Sequence, residues 1–418
     1  MSNEAYIRQH REDDVRRLAL TRPPEGVDHR WCLQQIEGWQ LARRKLPRWA
    51  ATEGLWYPVR LSMEQCSGEQ TALYKRQQVE RLLPPDMRHA MVDLTGGLGV
   101  DFSYMAPLFD VADYVEILPE LRRLAEHNMP LLMGMDCEGS KAPGRPELHF
   151  AAPDAFASAE ARYQFIFIDP ARRDGVGRKT VGIADCTPNV LSLQDHLLSR
   201  TQCLMLKLSP MLDITEALRQ LKGVREVHVV SVRGECKELL FVMSPEQTES
   251  GPTLYCVNLE TDEDVVLCPY PAPEAPRAAH APSFGEGEGR YLYEPNASVL
   301  KAGVQDILSE RYGVSKLHPQ SNLFVGDTLI PHFPGRRFGI VGMSDFSKRG
   351  LKALLGDLSK ANLTTRNFPT PVAQLRRQLR LAEGGDDYLF ATTLSDGRHA
   401  LIRCRRASYS LGSNLSIV

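Results

Sequence analysis

The 418 residues carry 50 Lys+Arg against 52 Asp+Glu, with 43% hydrophobic and 24% charged residues, a composition that excludes a highly charged disordered chain or a fibre. The length exceeds what one hydrophobic core serves, so roughly two to four domains are expected. No run reaches the roughly 18 consecutive apolar residues of a membrane span. Met1-Ser-Asn-Glu with His10-Arg-Glu-Asp-Asp14 behind it does not read as a signal peptide, so a cytoplasmic setting without a membrane partner is expected. Nine scattered cysteines (32, 66, 137, 186, 203, 236, 256, 268, 404), with no C-x-x-C pair, indicate neither a disulfide framework nor a zinc site. Charge is unevenly spread: residues 301–418 hold 17 Lys+Arg against 9 Asp+Glu, a net of +8, which leaves −10 for residues 1–300. A basic module on an acidic body can bind a polyanion locally; a solvated basic surface would read the same way.

Residues 1–58 are polar, with Trp31, Leu33, Ile36, Trp39 and Leu41 at helical spacing before Lys45-Leu-Pro47, and predict a small helical domain with the tryptophans in its core. Ser67 is a candidate N-cap for a helix reaching about Leu83, and Gln70 three residues on would close a capping box. Met91-Val-Asp-Leu-Thr-Gly-Gly-Leu-Gly-Val-Asp101 then reads as a strand, a glycine turn and a helix. Glycine takes positive φ and lets backbone approach a ligand, and the helix that follows offers unpaired N–H groups. The dinucleotide fingerprint needs a third glycine where Phe102 stands, so NAD is disfavoured. A bare structural turn remains the other reading.

Asp113-Tyr-Val-Glu116 is a second strand with an acid at its tip, placed to accept the two ribose hydroxyls of an adenosyl group. The helix Leu118–Asn128 follows, then a glycine-rich loop over 133–146 and a third strand, Leu148–Phe150. Asp154, just past it, lies where such folds place an acid near an adenine amine, although it could equally cap a helix. The apolar run Phe165–Ile168 predicts a strand buried on both faces and ends in Asp169-Pro-Ala-Arg-Arg173. Thr187-Pro188 predicts a helix start, cap then first helical position, and Asp213 with Glu216 predicts another. The strand Cys203–Leu208 ends in Lys207-Leu-Ser-Pro210. Glu226–Val232 and Glu238–Met243 are too close for a crossover and predict a hairpin, which makes the last strand antiparallel.

Beyond Ser244 come short strands at Leu254–Leu259 and Val265–Leu267 and five prolines over 269–282, read as a linker or inter-domain seam. Tyr291 starts a further compact unit with a helix from about Ala297 and a strand entry at Phe333-Pro-Gly-Arg-Arg-Phe338. Basic helices are expected over Ser347–Leu358 and Pro371–Leu381, and a hairpin over Tyr388–Cys404.

The order Ser67-x-Glu69-x-Thr71-Ala72, Asp93-x-Thr95-Gly96-Gly97-x-Gly99-x-Asp101, Glu116, Asp169-Pro-Ala-Arg, with Glu235-Cys-Lys-Glu-Leu-Leu-Phe241, Glu294-Pro-Asn-Ala-Ser298, Phe333-Pro-Gly-Arg336 and Asn367-Phe-Pro369, resembles bacterial class I S-adenosylmethionine-dependent methyltransferases that carry ferredoxin-like and C-terminal THUMP-like domains. The resemblance implies an α/β, Rossmann-like doubly wound sheet with an antiparallel last strand, a helical N-terminal domain and α+β C-terminal domains. The boundaries expected are 1–58 (helical), 59–248 (methyltransferase), 249–320 (linker and ferredoxin-like), 321–406 (THUMP-like, basic) and 407–418 (a disordered tail). It also implies S-adenosyl-L-methionine as cofactor and, through THUMP-like modules on RNA-modifying enzymes, a tRNA or rRNA substrate.

On this reading Ser67, Glu69, Thr71, Asp93, Thr95, Gly96, Gly97, Gly99, Glu116 and Asp154 are the candidate cofactor residues. Asp169, Pro170 and Arg172 are the candidate catalytic ones, and Arg172, Lys207, Arg336 and Arg376 the candidate substrate contacts. Amine methyltransferases often show Asn/Asp-Pro-Pro-aromatic where this chain has Asp-Pro-Ala-Arg, and enzymes methylating pyrimidine carbon 5 need a cysteine after the fifth strand, where this chain has Lys207-Leu-Ser-Pro210. The first departure counts against an amine target and the second against a carbon one; a nucleobase nitrogen is the expected target, with Arg172 in place of the aromatic. A protein or small-molecule methyltransferase and a non-catalytic RNA-binding protein are the competing readings.

Overall fold

The computed structural model describes residues 1–134, 145–153, 161–171, 182–246, 251–261, 263, 265–271, 290–356 and 358–407. Asp154, Arg172, the tail after residue 407 and most of the glycine-rich loop and of the proline-rich seam lie outside the described residues. Two compact units share the chain: Met1–Glu226 with Leu239–Ser250, and Val227–Glu238 with Gly251–Val418. No helix among the described residues is long and apolar enough to cross a membrane.

The first unit is built on strands β1 (Ala90–Asp93), β2 (Val111–Val115), β3 (Glu147–Ala151), β4 (Tyr163–Ile168) and β5 (Thr201–Leu208), laid out β3-β2-β1-β4-β5 and all parallel. Strand order reverses between β1 and β4, so the crevice past their carboxyl ends is the switch point where open α/β sheets bind ligands. Phe165, Ile166, Phe167 and Ile168 are all buried, as a central strand covered on both faces requires. β6 (Val224–Val232) and β7 (Glu235–Met243) turn tightly at Arg233 and Gly234, both with positive φ, and Leu239–Met243 pair antiparallel with β5. The hairpin expectation thus holds, with a shorter turn than the sequence indicated.

The N-terminal helices lie in this same unit. Tyr6, Leu18, Cys32 and Ile36 form their core. Trp39 stays partly exposed, covered by the guanidinium of Arg11 at 4.8 Å from the ring centre and donating its indole N–H to the Ala50 carbonyl. Buried Asn128, on the helix Pro119–Leu132, accepts from the Trp56 N–H at 2.9 Å and donates to the Trp56 carbonyl at 2.8 Å. A side-chain amide paired to one backbone residue in this way ties the segment at Trp56 to the helix Pro119–Leu132, because breaking it strands buried polar groups.

Two helix starts differ from expectation. Ser67 is not a cap: Gly68 precedes the helix Glu69–Leu82, and the Ser67 hydroxyl is drawn off to Asp101. Thr187-Pro188 is not the start of the next helix either. Thr187 exchanges main-chain hydrogen bonds with Ala171, and Asn189 caps the helix Val190–Leu198 by accepting from the Leu191 N–H at 3.0 Å. Asp213 does cap its helix, Ile214–Gln220, through the Glu216 N–H.

In the second unit β6 neighbours β8 (Thr253–Leu259), which pairs with β9 (Val266–Pro269). A seven-stranded sheet contains β10 (Tyr291–Pro295), β11 (Ser315–Lys316), β12 (Phe324–Gly326), β13 (Gly335–Ser344), β14 (Asn362–Arg366), β15 (Asp387–Thr393) and β16 (His399–Arg406) in the order β11-β12-β10-β13-β16-β15-β14. Side chains alternate faces along it, with Phe390 and Ile402 in one core and Leu389, Ala391 and Leu401 in the other. β14 runs parallel to β15 through the helix Val372–Leu379, a crossover the polar stretch Asn362-Leu-Thr-Thr-Arg366 does not advertise.

Candidate functional site

The turn after β1 is shaped by contacts that only glycine allows. Gly97 and Gly99 have φ of +59° and +81°. A Cβ on Gly96 would sit 2.2 Å from the buried Tyr114 ring, and one on Gly99 would sit 2.6 Å from the Met129 methyl. Tyr114, two residues before the β2 tip, also donates its hydroxyl to the Gly97 carbonyl. Two of the three glycines therefore serve close packing, and Gly97, whose Cβ would meet nothing nearer than 3.6 Å, is the one beside free space.

Glu116 lies directly past β2. Its two oxygens accept from the Gly97 N–H and the Leu118 N–H, each at 2.8 Å, which fixes the carboxylate plane across the turn. A carboxylate offers about four lone-pair sites, so each oxygen keeps acceptor capacity for a ligand hydroxyl. Asp93, at the end of β1, is buried, and its Oδ1 accepts from the Thr95 N–H at 3.0 Å. Burial pushes its carboxyl up to about 8; the Thr95 N–H offsets this in part, nearby Asp101 and Asp169 add to it, and Lys207 opposes it. A cationic or donor group of a ligand would relieve that strain. These features fit the adenosyl cofactor expected from sequence.

Thr95 bridges the switch point by accepting from the Asp169 N–H at 2.6 Å through its hydroxyl oxygen. Asp169, past β4, also pairs with Lys207 of β5, whose ammonium lies 3.7 Å from Asp101 Oδ2. Asp101 is paired from its other side by the fully buried Lys75 at 3.2 Å and accepts from the Ser67 hydroxyl at 2.7 Å. Burial opposes the Asp101 charge, but Lys75, Lys207 and Ser67 outweigh it and hold the carboxyl below its ordinary range. The result is a continuous polar chain, Lys75–Asp101–Lys207–Asp169, running beneath the turn, with Ser67 hung from it.

The structure thus brings Asp93, Thr95, the glycines, Glu116, Asp169, Lys207 and Ser67 together. Asp101 and Lys75 were missed as site residues. Nothing in the local sequence marks either charge as buried and paired. Glu69 and Thr71 hold the neighbouring backbone, Glu69 by accepting from the Arg48 N–H at 2.9 Å and Thr71 by donating to the Gly68 carbonyl at 3.0 Å. Pro170 follows Asp169 at the crevice. In the second unit, Arg336 donates to buried Glu294 at 2.6 Å, a carboxylate it shares with Arg366, and Arg376 donates to the Ala361 and Ala382 carbonyls, each at 3.0 Å. Gly335 of the Phe-Pro-Gly-Arg stretch has no room for a side chain, since a Cβ would lie 2.1 Å from the Glu294 carbonyl oxygen. A separate cleft of about 460 Å³, lined among others by Arg81, Gln202, Glu226 and Ser244, lies at the amino end of β5 and away from this chemistry.

A family model for a ferredoxin-like domain matches residues 291–334, and one for a THUMP domain-like family matches residues 335–406. A crystal structure from Porphyromonas gingivalis W83, carried under the name of a methyltransferase, is 32% identical, covers 97% of each chain and superposes with a TM-score of 0.80. An S-adenosylmethionine-dependent methyltransferase of Mycobacterium tuberculosis (strain H37Rv), named as uncharacterized, is 28% identical over 291 residues, 69% of this chain and 73% of that protein. With the switch-point crevice, the antiparallel strand beside β5 and the two C-terminal matches, the chain belongs to the class I S-adenosylmethionine-dependent methyltransferases that carry ferredoxin-like and THUMP-like domains.

Proposed function

We propose that this methyltransferase acts on a nucleobase nitrogen of RNA, in tRNA or rRNA, and that the basic C-terminal portion holds the substrate. The observation that carries the reading is Asp169-Pro170 at the carboxyl end of β4, with the Asp169 carboxylate aligned by Lys207 and its backbone N–H held by Thr95. Methyl transfer is an in-line displacement, so the protein's task is to orient the nucleophile and manage one proton. S-adenosylmethionine, when bound, supplies a methyl group on a sulfonium. Glu116, the backbone around Gly97, Asp93 and the Ser67–Thr71 segment are the groups proposed to hold it, with Asp154.

Asp169 accepts a hydrogen bond from the acceptor N–H and Pro170 offers its carbonyl to the same amine, which aims the nitrogen lone pair. Lys207 pairs with the Asp169 carboxylate and fixes its position. Arg172, with its planar guanidinium, is the proposed partner of a base or phosphate. Arg336 and Arg376 remain proposed RNA contacts through whatever capacity their internal hydrogen bonds leave. Cysteine-based carbon methylation is less well served: Cys66, near Asp101 and Lys207, has its thiol pushed up by burial and donates to the Met63 carbonyl, which is not the setting of a ready thiolate.

The test is to incubate purified protein and labelled S-adenosylmethionine with total RNA from cells lacking the protein, then analyse nucleosides by mass. One new methylated nucleoside that disappears with Asp169→Ala is the expected result. Cofactor binding with no labelled RNA would redirect the assignment to a protein or small-molecule acceptor.

A further inference from the structure

The second unit contains a cleft of about 620 Å³ lined by Thr365, Asn367, Phe368, Pro369, Thr393 and His399, built entirely within the THUMP-like match. Asn367 adopts φ of +50°, a left-handed conformation that asparagine tolerates better than most non-glycine residues. Two hydrogen bonds hold it there. The Thr393 hydroxyl donates to the Asn367 carbonyl at 2.6 Å, and the Asn367 amide nitrogen donates to His318 Nδ1 at 2.9 Å. The Gln320 N–H approaches the same His318 nitrogen at 3.0 Å, so two donors converge on Nδ1 and set the tautomer protonated at Nε2. Asn367 lines the cleft, and its side-chain amide carries both a donor and an acceptor.

The cleft also has an aromatic wall. Phe346 stacks on Phe368 with ring centres 5.0 Å apart, and the exposed His399 ring meets Phe368 edge-on at 5.1 Å. Next to His399 stands Arg398, whose pairing with Asp396 is exposed and weak. Aromatic rings beside an amide, hydroxyls and a cationic side chain are the parts by which proteins take an unstacked base with its phosphate.

We propose that this cleft binds one unpaired nucleotide of the RNA substrate, its base stacked against His399 and Phe368 and hydrogen-bonded to Asn367. The proposal rests on the RNA reading given above, and a duplex, whose bases are already stacked, would not fill the cleft.

The test uses the full-length protein and the same labelled RNA sequence as a single strand and as a blunt duplex, with fluorescence anisotropy as readout. His399→Ala, at an exposed position, should weaken single-strand binding by about ten- to hundredfold, the usual range for loss of one base-stacking contact. Duplex binding, S-adenosylmethionine binding and the melting temperature should stay at parent values, and His399→Phe should restore the single-strand affinity. Equal losses for both RNAs, or no loss while the parent binds RNA, would overturn the cleft and leave the RNA reading standing. A parent protein that binds S-adenosylmethionine but neither RNA would overturn both.

Discussion

Two buried aspartates eight residues apart are charged in opposite ways by their surroundings. Asp101 has two ammoniums and a hydroxyl around it and stays ionised, whereas burial dominates at Asp93. Folding raises the Asp93 carboxyl from 3.8 to about 8, so across that window the native state holds a proton the unfolded chain has released. Its contribution to stability is fully present below about pH 3.8 and is lost as pH rises toward 8. Asn at this position keeps an oxygen for the Thr95 N–H and has nothing to ionise. Asp93→Asn should therefore gain stability over the parent above pH 8, with the gain vanishing near pH 4. Urea midpoints measured without cofactor at both ends of the range would check this, and an offset independent of pH would reject it.

At the scale of elements, the glycine turn is held from behind by Tyr114. Inserting a methyl into such a contact costs about 1–3 kcal/mol, or more where backbone must shift. Gly96→Ala should destabilise by at least that much, because its Cβ would lie 2.2 Å from the Tyr114 ring. The same change should cost less once the ring is removed by Tyr114→Ala, and a double-mutant cycle in urea showing strictly additive losses would argue against this contact. The helix Val190–Leu198 offers a second check, since its cap is Asn189. Asn189→Ala should lose about 1 kcal/mol, while Thr187→Ala should lose little, because Thr187 uses only its backbone against Ala171. Thermal unfolding showing the reverse order would restore the start that Thr187-Pro188 indicates locally.

At the scale of the molecule, the uneven charge makes a prediction about association. If RNA is held through the basic C-terminal portion, its affinity should fall linearly on a log–log plot against salt, by about 0.7 per phosphate neutralised for a single strand. S-adenosylmethionine affinity, which depends on the proposed crevice of the first unit, should change little. Titrations of both ligands at several salt concentrations would test this, and RNA binding indifferent to salt would sink the electrostatic part of the proposal.

Short-range chemistry made much of this fold legible in the chain. A continuous, β-prone apolar run such as Phe165–Ile168 reads as a covered strand, glycines at 97 and 99 mark positive φ, and a gap too short for a crossover obliged β7 to reverse. These inferences need only neighbouring residues, as do the acids at the tips of β1, β2 and β4. Partner choice between distant segments was decided by the tertiary fold alone. Ser67 looked like a cap until Asp101, 34 residues on, claimed its hydroxyl. Lys75, on the helix Glu69–Leu82, is buried by folding against the same carboxylate. Arg336 and Arg376 read as substrate contacts, and the fold lays one on Glu294 and the other on main-chain carbonyls. The pairing of β14 with β15 likewise depends on a helix that brings a polar strand alongside an apolar one. A residue's type states what it can pair with, but which candidate lies within 3 Å is set by the packing of whole elements.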